Sequence, residues 1–326
     1  RSGFELDNLA GGLVVDNGKI EIRQGSIQTA LSDINLDQLL LNGKDWLEYR
    51  DFINKIPIIC SVTKSRVSSE DVGYFAPAIW NWKTEVRDAS VSMNGTVSNF
   101  KGKVTHATLE DGGVLRGSAR VRGLVDVENT HFDIDVTKLH SSAEEITYLL
   151  NSIAHLSLGE NATQYIDRME EFDASGEFKG TIRDFKANAK ARLASGGDVA
   201  LACSMLNPAD GRKSANATVT ADDTNVGKLL ANELFGSVTA TANVEVALGG
   251  GESAALKCEG KIASANINGC DYNGVSLVAD IEDNRIVGLV GVDDEALKVE
   301  AQAVLDLSDK DMPLYDAVMT IENADL

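Results

Sequence analysis

Apolar and polar residues alternate with a period of two through most of this chain, most clearly between Asp88 and Leu124. Val91 and Met93 share one parity, and the polar residues between and around them share the other. This pattern is typical of a β-strand with one apolar and one solvated face. Gly112 and Gly113 then precede a second alternating run, and glycine readily adopts the positive φ of a tight turn. The block therefore predicts an amphipathic β-hairpin.

Part of this hairpin is repeated about 85 residues later. Residues 93–101 read Met-Asn-Gly-Thr-Val-Ser-Asn-Phe-Lys, and residues 178–186 read Phe-Lys-Gly-Thr-Ile-Arg-Asp-Phe-Lys. A shorter echo pairs Val72-Gly73 with Val226-Gly227. Internal repeats indicate modular architectures that extend along one axis. Convergent strand-turn patterning is the alternative explanation.

After Phe178 the chain alternates almost without interruption, and short Gly, Asn or Asp turns separate the runs. At least twelve strands of this kind predict an all-β fold. We expect a long antiparallel meander, curled into an open groove or a flattened barrel, with one or two short covering helices. Because no linker divides the sequence, we expect one continuous segment over residues 1–326.

A helical insertion is predicted at residues 139–172. Ser141 and Ser142 each precede a glutamate by three residues, Glu144 or Glu145, which is the spacing of a capping box. An apolar stripe formed by Ile146, Leu149, Leu150 and Ile153 follows. We expect this stripe to pack on the protein's own sheet; a partner-binding surface is the alternative.

The composition argues against several functions. A net charge of −20 opposes binding to nucleic acid, whose phosphates need a cationic surface. The four histidines and four cysteines show no metal-ligand spacing, and no nucleotide-binding or nucleophile motif is present. We therefore expect no enzyme activity, metal or cofactor. Cys258 and Cys270 have two interpretations, a pair facing each other across a hairpin or buried free thiols.

No run of about 20 apolar residues occurs, so no helix is expected to span a membrane. The first residues resemble the middle of a domain, and residues 317–326 lie within another alternating run. We accordingly expect the chain to be a piece of a longer protein.

The alternation leaves a choice for the apolar face, which is either the core of a closed sandwich or the lining of an open groove. If a groove exists, acyl chains suit it, because they need no directional partners. We expect the lining to consist of the residues that share parity with the apolar face of their strands. These residues are Val91, Met93, Val97, Leu115, Val121, Ile182, Leu201, Val244, Val246, Leu277, Val299 and Leu305.

The chain resembles the AsmA-like and TamB family of bacterial envelope proteins. The resemblance rests on the repeated block at residues 93–101 and 178–186, on the long hairpin series with only 6% aromatic residues, and on short helical interruptions at residues 68–76 and 224–231. It is spread over most of the chain, without an invariant motif.

This resemblance implies a periplasmic protein anchored to the inner membrane by a segment outside the chain. It implies a U-shaped sheet, the β-taco, whose groove carries phospholipid towards the outer membrane. An outer-membrane β-barrel partner is also implied, through regions outside this chain, and the family carries no catalytic residues. The alternative is a structural role, as a periplasmic scaffold or adhesin stalk with a closed core.

Overall fold

The computed structural model describes residues 5–74, 83–124, 126–153, 164, 166–207, 213–249, 252–282, 285–295, 297–307 and 314–324. The chain divides into two units, Arg1–Ile182 and Arg183–Leu326. Whether the two units act as one continuous segment stays a prediction.

The first unit is an antiparallel meander in which each strand pairs with the next along the chain. Its strands are β1 Asn8–Asp16, β2 Lys19–Gln28, β3 Asp33–Asn42, β4 Ile58–Ser68, β5 Glu85–Gly95, β6 Asn99–Thr108, β7 Val114–Arg122, β8 His131–Ser142 and β9 Glu171–Gly180.

The second unit repeats this plan, and four of its strands are longer than any in the first unit. Its strands are β10 Phe185–Leu193, β11 Asp198–Leu206, β12 Lys213–Asn225, β13 Phe235–Gly249, β14 Glu252–Ile267, β15 Cys270–Glu282, β16 Arg285–Asp293, β17 Leu297–Asp306 and β18 Leu314–Ala324. Within each unit, the first and last described strands pair with a single neighbour, so neither meander closes on itself. The predicted all-β antiparallel fold is confirmed, and it is not a barrel.

Short helices interrupt the meander at strand ends. The described helices are α1 Phe52–Lys55, α2 Ser69–Gly73, α3 Ala143–Ile153 and α4 Val226–Leu230, with 3-10 turns at Glu48–Asp51 and Val127–Asn129. α2 and α4 contain the Val-Gly echo, and each is N-capped by the side chain of its preceding residue, Ser68 or Asn225. The pair ends α2 but begins α4, so the echo does not mark equivalent positions of the two helices.

The predicted insertion is shorter than expected. Residues 139–142 still belong to β8, where His140 is paired with Asp173, and Glu171 already begins β9. Of the two possible caps, Ser142 is the one used, since its hydroxyl accepts from the backbone N–H of Glu145 at 3.1 Å. Residues 154–163 and 165 of the predicted insertion lie outside the described residues, as do the side chains of Leu149, Leu150 and Ile153.

A line of β-bulges crosses the first unit. The register shifts at this level between most neighbouring strands, for example at Ala10/Gly12, Val62/Ser65 and Val104/Ala107. Lys64 and Asp88 adopt positive φ angles of 44° and 47° at two of the shifts. A bulge adds one residue to a strand and bends it. The strands therefore change direction together before they reach the end that carries α2 and α3.

Candidate functional site

The most extensive feature of the second unit is its apolar face, which runs across all nine strands. Cross-strand neighbours place small and branched residues opposite one another in four ladders. One ladder consists of Ala189, Leu201, Val219, Ala242, Gly260, Leu277, Val290, Ala301 and Met319. At a strand spacing of about 4.8 Å and a rise of about 3.4 Å per residue, the face measures roughly 38 by 20 Å.

Water reaches this face. Leu201 and Leu277 are 39% and 40% exposed, and Val219 is 37% exposed. In a closed sandwich the inward side chains of facing sheets interdigitate and are lost from the surface. The buried side chains in the described part of the second unit are Leu193, Ser195, Thr224 and Ala265, which lie towards the α4 end of the strands. The middle of the apolar face is thus uncovered.

The first unit has a similar face with larger side chains. Its central ladder crosses nine strands through Leu13, Ile22, Leu39, Cys60, Met93, Gly102, Ala119, Ile134 and Phe178. Beside it, Phe132 meets Phe178 edge to face, with ring centroids 6.5 Å apart. Ile22 and Val121 are buried, whereas most other members are half-buried. This face is better covered than that of the second unit, but it is not closed.

Ten of the twelve residues expected to line a groove lie on strands, and they fall on these two faces. In the second unit, Leu201, Val244, Val246, Leu277, Val299 and Leu305 share one face. In the first unit, Val91, Met93, Leu115 and Val121 share the apolar face of that unit. The structure thus brings each group together within its own unit. Whether lipid occupies these faces stays a prediction.

Val97 and Ile182 do not lie on strands. Both occupy the aliphatic position of the repeated motif, and both lie in turns that follow a glycine with a left-handed backbone, Gly95 at φ 136° and Gly180 at φ 134°. These glycines end the strand, so the parity that extended from Met93 to Val97 is broken. Ile182 is 48% exposed in its turn, and Val97 is half-buried.

Buried polar groups concentrate at the strand ends. The carboxylate of Asp71 in α2 accepts hydrogen bonds from the hydroxyls of Thr29 and Ser32, both at 2.6 Å. Ser32 is fully buried, and its hydroxyl also accepts from the backbone N–H of Ser68. Because buried polar groups are stable only when hydrogen-bonded, this network fixes α2 on the β2–β3 turn. Alternation did not identify it, since these residues lie where the alternation stops.

Three aromatic residues on the face of the first unit, Phe100, Phe132 and Phe178, were missing from the predicted lining. Phe100 and Phe178 had been identified as part of the repeat, and the register sets Phe100 opposite Val121, which is opposite Phe132. The signal that could have found them is the alternation of their own strands, since each phenylalanine lies between two polar residues.

Among the described residues, the structure does not bring the remaining candidate catalytic or metal-binding side chains together into a site. The four cysteines are free, and Cys258 pairs with Ala279 whereas Cys270 pairs with Ile267, nine residues further along β14, so these two thiols do not face each other. His140 Nδ1 lies 3.3 Å from one Asp173 carboxylate oxygen, and both side chains are solvent-accessible. No group of three or more His, Cys, Asp or Glu side chains in the described ranges could hold a metal ion.

Comparison with models of protein families, with curated proteins and with solved structures gives no match. None of the described helices has both the length and the apolar character needed to cross a bilayer.

Proposed function

We propose that this chain is a periplasmic segment of an AsmA/TamB-like protein, whose apolar faces shelter the acyl chains of phospholipids that move between the inner and outer membranes. The observation that carries the proposal is the uncovered apolar face of the second unit. Monomeric proteins seldom leave contiguous apolar patches beyond a few hundred Å² unless the patch binds something. Here the ladders extend over nine strands, and leucines at their centre stay about two-fifths exposed.

Energetics support acyl chains as the occupant. Each methylene exposed to water costs about 0.8 kcal/mol, so a chain of about sixteen carbons costs roughly 13 kcal/mol. A smooth wall of Ala, Val and Leu can remove much of that cost without directional contacts that would fix the lipid in place. In the proposed setting, parts of the protein outside this chain anchor it to the inner membrane and contact a separate outer-membrane β-barrel partner.

The test uses two leucines of neighbouring strands on opposite faces. Leu277 of β15 lies on the apolar face, and Leu289 of β16 lies on the other face, 48% exposed and opposite Val278. A photo-crosslinking residue is placed at either position, and captured phospholipid is quantified in cells of a diderm bacterium by mass spectrometry. We expect capture at Leu277 to exceed capture at Leu289 severalfold.

Equal labelling at the two positions would contradict the proposal, because the residues have similar exposure and the same chemistry. The structural alternative, a scaffold or stalk, predicts that result together with the absence of lipid from the purified native protein.

A further inference from the structure

A pocket of about 570 Å³ lies at one end of the first unit, beyond the line of bulges. Its walls include the apolar side chains of Val67, Val86, Leu109 and Leu115. This volume lies within the range of small-molecule sites. Leu115 also belongs to the apolar face of β7, where it has the parity of Val121. The pocket is therefore continuous with the apolar face of the first unit.

The polar part of the pocket is mainly anionic. Glu110 and Asp111 come from the β6–β7 turn, and Glu144 and Glu145 come from the first turn of α3. The fifth carboxylate, Glu85, is already paired with Arg66 and Arg87. Lys83 is the one cation among the described lining residues.

Glu145 stands out because it is buried, with 4% of its surface exposed. Its carboxylate accepts from the Ser141 hydroxyl at 2.9 Å and from the backbone N–H of Asp111 at 3.4 Å. No Lys, Arg or His in the described part of the chain lies within ion-pair distance of it. Buried charges in proteins are normally paired, and this one has only neutral donors.

We infer that this pocket binds the headgroup of an amine-bearing zwitterionic phospholipid, with the ammonium beside Glu145 and the acyl chains leading past Leu115. Lys83 supplies a cation for the phosphate, and the excess of carboxylates disfavours anionic headgroups such as phosphoglycerol. The inference rests on the proposed function and deepens it, because it assigns a headgroup preference to one end of one unit.

The test compares two soluble lipids with equal tails, dihexanoylphosphatidylethanolamine and dihexanoylphosphatidylglycerol, by calorimetric titration of the purified chain below their micelle concentrations. We expect the amine-bearing lipid to bind about tenfold more tightly, the factor that one charge-assisted hydrogen bond supplies. Glu145→Gln is expected to remove most of that preference. Asp135→Asn removes an exposed carboxylate from β8, and the preference should remain unchanged.

Because Glu145 also holds α3 on the β6–β7 turn, Glu145→Gln could weaken binding by displacing α3. A second variant separates that effect from loss of the carboxylate. Glu110 and Glu144 are exposed, and their conversion to glutamine should reduce the preference while leaving the thermal melting temperature unchanged. Equal affinity for the two lipids, no binding of either, or an equal loss with Asp135→Asn would overturn the inference. Capture of phospholipid at Leu277 would still support the proposed function in each of those cases, so the two failures are distinguishable.

Discussion

At the scale of single residues, the repeated motif is explained by one glycine conformation. Gly95 and Gly180 have φ angles within two degrees of each other, although they lie 85 positions apart. A Cβ atom on Gly95 would collide with the backbone carbonyl oxygen of Asn99 on the neighbouring strand. The motif is therefore a strand ending that needs glycine for both its backbone angle and its close approach.

Gly95→Ala is accordingly expected to lower the free energy of unfolding by about 1–3 kcal/mol. The matched control is Gly102→Ala on β6, where a Cβ would only touch the ring of Phe100 at 3.7 Å, and its cost should stay under about 1 kcal/mol. Urea denaturation of the two variants measures the difference. Equal destabilisation would show that the left-handed conformation of Gly95 is not required.

A second residue-scale prediction concerns pH. The Lys19 ammonium and then the Arg23 guanidinium, which both contact its carboxylate, lower the pKa of Glu21 on β2. A carboxyl whose pKa is lowered in the folded state contributes stability above its unfolded pKa of about 4.3 and loses it as the pH falls through the folded value. The difference in denaturation midpoint between wild type and Glu21→Gln should therefore be constant from neutral pH to about 5 and shrink below about 4. A difference that does not shrink as the pH falls below about 4 would contradict this assignment.

At the scale of strands and helices, the two faces of a strand can be compared directly. A charge in a closed core costs several kcal/mol, because the group loses water without gaining a partner. Leu277 is nearly as exposed as Leu289 on the other face, so water can still reach a carboxylate at either position.

Leu277→Asp and Leu289→Asp are therefore expected to destabilise the protein similarly, each by about 1 kcal/mol. With the photo-crosslinking residue moved to Val244 of the same face, only Leu277→Asp should reduce phospholipid capture, since it places a charge on the proposed acyl-chain path. Thermal denaturation and the crosslinking assay separate the two effects. A cost at Leu277 several kcal/mol above that at Leu289 would mean that the apolar face is closed.

At the scale of the whole molecule, the reactivity of the native cysteines can show whether phospholipid occupies the apolar face of the second unit, without any substitution. Cys203 and Cys258 lie on one ladder of the apolar face, through Ala217 and Val244, whereas Cys270 is exposed at the start of β15. Burial raises the pKa of the Cys203 thiol, and of Cys60 in the first unit, so a smaller fraction of these thiols is ionised at neutral pH.

Alkylation of the lipid-free protein at mildly alkaline pH should modify Cys270 first and then the thiols of the face. Loading with phospholipid should slow the reaction of Cys203 and Cys258 and leave that of Cys270 unchanged, as measured by peptide mass spectrometry. Equal protection of Cys270, or protection of none of the three, would argue against occupancy of the face.

The sequence by itself determined most of the strands, their hairpin connections and the apolar parity within each strand, because alternation and turn chemistry are local properties. Asn17-Gly18 closes the β1–β2 hairpin as a two-residue loop, and Ser142 caps α3 with the spacing that the capping box predicted. The ladder through Leu201 and Leu277 likewise follows from parity once neighbouring strands pair in order.

Only the tertiary structure decided where that parity breaks and what covers each face. The bulges at Lys64 and Asp88 contain no glycine at the positive-φ position that would have predicted them from the sequence. Val97 lies in a turn because Gly95 ends its strand. The exposure of Leu277 and the pocket beside Glu145 depend on which elements come to lie opposite a face. Parity fixes the direction of a side chain, but burial depends on residues far away in the chain, and a period of two carries no information about them.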